Sequence, residues 1–155
     1  DVRPILDAGG SRLRVLVDQR RFEEAGLVRD RVRALLRAAL RYQRLRAIAA
    51  CPQIVAARQV AGAWEIHVIR HGRLAAAALA RPGEVPQAVA RAAVAAAEAV
   101  RPAVGPQPAA LVEESERIAA WLERPGVRLI DIEGEWAWPI FSGINDAALA
   151  SHLLG

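Results

Sequence analysis

The apolar residues of this chain keep one period up to Ile48 and another after Pro52, and that change divides the fold. From Phe22 onward, Ala25, Val28, Val32, Leu35, Leu36, Ala39 and Leu40 recur in steps of three and four, as on one face of a long helix. After Cys51-Pro52 the stretches "QIVAARQV", "WEIHVIR" and "RLAAAALA" alternate with a period of two, as strands do. No single element carries both periods. The chain therefore reads as α+β, with a helical part over 1–50 and a mixed α+β domain over 51–155.

Within the first part, the spacing predicts a helix from Leu6 to Val17, weakened near its start by Gly9 and Gly10. Asp18 and Gln19 let the chain reverse, and a second helix follows from Phe22 to Ile48. Glu23 and Glu24 fall in its first turn, where the helix dipole favours negative charge. The two helices make an antiparallel hairpin. In the second part, the three strands form a meander joined at "AGA" and at His71-Gly72, since glycine accepts the positive φ of a tight turn. "RPGEVP" breaks the chain, an Ala-rich helix covers Val85–Val100, and "RPAVGPQP" connects it to a helix over Ala109–Arg124. "VRLIDI" and "EWAWPI" are expected to pair around Gly134, and "NDAALASHLL" to close as a short helix capped by Asn145. The predicted order after the hairpin is βββααββ.

Composition narrows the function classes. Hydrophobic residues make up 54% of the 155 positions, but much of that is alanine, so four tryptophans are natural core fillers. No apolar run reaches the roughly 20 residues of a membrane span, and the first residues lack the pattern of a signal peptide. The chain has no methionine, which points to a segment of something longer. Cys51 is the single cysteine, so neither a disulfide nor a thiolate zinc site forms within one chain, and a cytoplasmic setting is expected. The net charge of +4 comes entirely from arginine on the basic side; it permits nucleic-acid binding without establishing it.

The residues of the second helix carry a resemblance. Phe22, Glu23, Ala25, Arg29 and Asp30, in "RFEEAGLVRDRVRAL", fall on the Phe-Glu-x-Ala-x-x-x-Arg-Asp pattern of the UVR motif, the helical hairpin of the excinuclease subunits UvrB and UvrC. The likeness runs from Pro4 to Leu36, with Gly26 where the family usually has a second Ala. Downstream, "PQIVAARQVAGAWEIHVIRHGRLAAAALA" is similar to the segment after that hairpin in UvrC, with Arg70, Gly72 and Leu74 on an R-x-G-x-L turn. "EESERIAAWLERPGVRLIDIEGEWAWP" is similar to the C-terminal part of actinobacterial proteins that fuse a DEDD-type (DnaQ-like) exonuclease, a GIY-YIG endonuclease and a UvrC-like tail. The GIY-YIG motif, the exonuclease carboxylates, the RNase H-like site and the helix-hairpin-helix elements are not in this sequence. What the resemblance implies is targeting or assembly of a nuclease, with a UVR-type hairpin or a second copy as partner.

Two surfaces are candidates for that work. The first is a partner-binding set: Phe22, Glu23, Ala25, Val28, Arg29, Asp30 and Val32. Its plain alternative is packing within the helical pair. In the functional reading, Arg29 and Asp30 cross-pair with a second hairpin and fix its orientation. The second is a stripe of Arg29, Arg33, Arg37, Arg41 and Arg44, with Arg70 and Arg73 at the strand turn, which could follow a phosphate backbone without reading bases. A solvated helix face is its plain alternative.

No catalytic constellation is expected. Asp131, Glu133 and Glu135 alternate beside one turn, whereas metal-dependent nucleases draw carboxylates from several elements. His67, His71 and His152 lack metal-ligand spacing, and Cys51 has no His and acid marked for it. No cofactor motif is present, and none is expected. Trp64 and Trp121 read as core; Trp136 and Trp138 are equally compatible with core and with a base-stacking surface.

Overall fold

The structure, a computed structural model, describes residues 3–104 and 108–136. Its elements are α1 (Arg3–Asp18), α2 (Phe22–Ala50), β1 (Gln53–Val60), β2 (Ala63–Arg70), β3 (Arg73–Ala80), α3 (Pro86–Ala96), α4 (Val112–Leu122) and β4 (Val127–Glu133). They group into two compact units that divide within α2, between Gln43 and Arg44.

The first unit is the helical hairpin. Leu13 and Leu16 of α1 are buried with Ala25, Val32 and Leu36 of α2, and Val28 packs against them. The reversal has a defined chemistry. Arg20 takes a positive φ of 56°. Its N–H donates to the Val17 carbonyl at 2.9 Å, and Arg21 N–H donates to Leu16 at 2.9 Å. This is the pair of bonds that closes a helix in a Schellman motif, with arginine where glycine is usual.

In the second unit, four antiparallel strands lie in the order β3-β2-β1-β4. Both tight turns carry two residues of positive φ: Ala61 and Gly62 at 50° and 83°, His71 and Gly72 at 50° and 80°. That is the turn whose twist matches a hairpin. The pleat then sorts the strand residues. Ile54, Ala56 and Ile69 meet Ile48, Ile118, Ala119 and Trp121 on one face. Val55, Ala57, Ile66 and Val68 meet Ala80, Ala90 and Ala93 on the other. Because Ile48 is fully buried against the sheet, the last turns of α2 group with the strands.

Three expectations change. The first helix starts at Arg3 rather than Leu6, so Gly9 and Gly10 fall in its interior rather than near its start. β4 pairs with β1 at the edge of the sheet. No strand returns from Gly134 over Glu135 and Trp136, and Trp136 instead packs against the Ile48–Trp121 cluster. The described order is therefore βββααβ. The rest of "EWAWPI", with Trp138, and the tail helix capped by Asn145 lie outside the described residues. Among the described residues, no helix is long and apolar enough to cross a membrane.

Candidate association and nucleic-acid interface

The hairpin splits the partner-binding set in two. Ala25 and Val32 are buried at 6% and 7% exposure, and Val28 is half-buried beside them, so α1 already covers these three. Phe22 is 64% exposed, and Glu23, Arg29 and Asp30 are also open to solvent. Arg29 Nε donates to its neighbour Asp30 Oδ1 at 3.4 Å, an exposed pair that contributes little to stability. Arg21 forms a two-pronged pair with Glu24, at 2.7 and 2.6 Å, at the first turn of α2. The helical spacing thus divides into an internal scaffold and an outward group of Phe22, Glu23, Arg29 and Asp30.

The arginines divide as sharply. Arg37 and Arg41 are exposed on α2, and Arg33 is half-buried with its Nε lacking a partner. Arg44 belongs to the second unit and donates to both Glu123 carboxylate oxygens, at 2.9 and 3.1 Å. Arg70 is a structural clamp. Its Nε and Nη2 donate to Gln53 Oε1 at 3.0 and 2.8 Å. Its remaining donors reach the carbonyls of Val94, Ala97 and Glu98 at 3.0–3.2 Å. These carbonyls lie at and just past the end of α3; Val94 also receives the Ala97 N–H, whereas for Ala97 and Glu98 no further helical turn supplies a donor. All five donors of the guanidinium are used, which takes Arg70 out of any phosphate-binding set. Arg73 pairs with Glu98 at 3.3 Å.

The fold also builds a cluster that sequence spacing does not show. His67 stacks on Trp121 with ring centroids 4.0 Å apart and planes 28° from parallel. Glu65 lies 3.3 Å from His67 Nε2 through one oxygen and accepts from Trp121 Nε1 at 3.3 Å through the other. Burial holds His67 below the ordinary histidine value, and the Glu65 carboxylate only partly offsets it. The residues at positions 65 and 67 share a strand face, which the alternation does give; the Trp121 contact comes from α4, distant in sequence. Burial raises the Cys51 thiol, with the Gln53 backbone opposing and the Glu133 charge adding to the rise. Among the described residues, no three His, Cys, Asp or Glu side chains gather as a metal site.

One comparison with known proteins bears on these surfaces. The chain is similar to a nuclease-named protein. This relative, from Mycobacterium tuberculosis (strain CDC 1551 / Oshkosh), bears the name of a bifunctional exonuclease/endonuclease protein and is 41% identical over 125 residues. The match covers 79% of this chain but only 19% of the relative, so the chain spans about a fifth of that protein's length. No family model matches. No solved structure matches. The similarity supports a nuclease-associated segment.

Proposed function

We propose that this chain is a non-catalytic region, C-terminal to the catalytic domains, of a UvrC-related DNA repair or processing nuclease in the cytoplasm. In this reading its hairpin is a UVR-type association module. The observation that carries it is the 41% identity to a protein named for two nuclease activities, over a stretch that is only 19% of that protein. The described geometry adds support. Phe22, Glu23, Arg29 and Asp30, which lie on the UVR pattern, stand outward on a scaffold whose own apolar residues are already covered. The partner is a UVR-type hairpin of a repair protein or a second copy of the chain.

The test is calorimetric titration of the chain with the isolated UVR hairpin of an excinuclease subunit. Binding that disappears in Phe22→Asp supports the reading, and the exposure of Phe22 keeps that variant folded. No binding, or binding unchanged in Phe22→Asp, overturns it.

DNA contact through arginine is the second reading. The exposed position Arg37 favours it, with Arg33 and Arg41 on the same helix; Arg70 is fully used as a clamp.

A further inference from the structure

The hairpin also exposes apolar residues outside the motif positions. Leu27 is 59% exposed, Leu35 44% and Tyr42 62%, and Ala34 and Ala38 are also open to solvent. At 100° per residue these positions form one stripe along α2, turned about 120° away from Ala25, Val32 and Leu36. Arg31 interrupts the stripe, and its methylene stem can lie along it. Steps from Leu27 to Ala34 and Ala38, and from Leu35 to Ala38 and Tyr42, alternate threes, fours and sevens. Such a stripe suits packing against another long helix.

We infer that this outer stripe of α2 is a self-association surface that takes α2 of a second copy in antiparallel orientation. The inference rests on the reading of the hairpin as an association module and names its partner. Charge chooses both occupant and direction. Within the hairpin unit, the first part of α2 carries three acids, Glu23, Glu24 and Asp30, against one arginine, Arg29, whereas the part from Arg31 to Arg41 carries arginines and no acid. A parallel copy sets like charge on like. An antiparallel copy brings Asp30 against the basic stretch, and the asymmetry of one helix becomes complementarity in a pair. The register that places Leu27 opposite Tyr42 of the second copy also places Ala34 opposite Leu35, a small residue against a large one. In that register Asp30 falls between Arg37 and Arg41 of the facing helix.

The experiment is sedimentation equilibrium of the full chain over a concentration series at low and moderate salt, with circular dichroism to confirm helix content. The expected result is a dimer that tightens at low salt. Leu27→Glu and Leu35→Glu each weaken it at least about tenfold, and Arg37→Glu weakens it in a salt-dependent way. Phe22→Asp leaves it intact. If Leu35→Glu loses helix content, Leu27→Glu and Arg37→Glu decide. A monomer at every concentration, or a dimer lost only in Phe22→Asp, overturns the inference. The titration with an isolated UVR hairpin reads Phe22, so failure of the association reading and failure of this surface give different results.

Discussion

Gly9 of α1 faces Val32 of α2 so closely that a methyl group added at Gly9 would lie 2.7 Å from Val32 Cγ2. A real Cβ does not approach that near, and the branched valine has little room to turn away. The residue that weakens α1 as a helix is therefore the one that lets the two helices approach.

Gly9 and Gly10 should respond oppositely to alanine. Gly9→Ala gains helix propensity but must separate the helices, for a net loss of about 1–2 kcal/mol. Gly10→Ala meets nothing within 4 Å and should gain about 0.5–1 kcal/mol. Urea unfolding of both variants, followed by helix signal, checks the pair; a loss in Gly10→Ala would contradict the packing.

Arg20 closes α1 with a φ of 56°, a conformation that costs an L-residue with a side chain roughly 1 kcal/mol. Arg20→Gly should raise the stability of the hairpin by about that amount, as a shift of the denaturation midpoint. No shift would mean that the positive φ carries no strain.

Arg70→Met should cost at least about 2 kcal/mol, because it leaves the Ala97 and Glu98 carbonyls and the buried Gln53 amide oxygen without their donor. Arg70→Lys should recover little, since one ammonium does not span these acceptors. If Arg70→Met left stability unchanged but weakened DNA binding, the clamp would be the wrong account of this residue.

His67 sits below its ordinary value of 6.5 in the folded chain, so protonation is easier in the unfolded one. Stability is full above about pH 6.5 and falls as the pH drops through that value towards the lower folded one. Denaturation midpoints at pH 7.5 and 5.5 should therefore differ in this direction, and His67→Gln should flatten part of the slope. In the folded chain Trp121 fluorescence should also change as His67 gains its proton. A slope identical in His67→Gln would assign the acid sensitivity to other groups.

Cys51 is 1% exposed, and its thiol is pushed above the ordinary value, so little reactive thiolate meets solvent. A disulfide reagent should label it orders of magnitude faster in denaturant than in buffer at neutral pH. Comparable rates would show that the site opens.

The sequence by itself determined the change of period at Cys51-Pro52, both ends of β1 and β3, and the His71-Gly72 turn. Each depends on residues adjacent in the chain and on the fixed geometry of helix and pleat. It also marked the outward group of Phe22, Glu23, Arg29 and Asp30, although spacing alone did not separate them from Ala25, Val28 and Val32. Tertiary structure decided which side of α2 meets α1, because amphipathic spacing names a stripe without its occupant. It decided that β4 joins β1 and that Trp136 packs against the Ile48–Trp121 cluster, since strand partners depend on what α3 and α4 leave uncovered. It turned Arg70 into a clamp and brought Trp121 to His67 and Glu65. A charge in the sequence is available to any partner within reach, and only the folded chain settles which partner comes within hydrogen-bond distance.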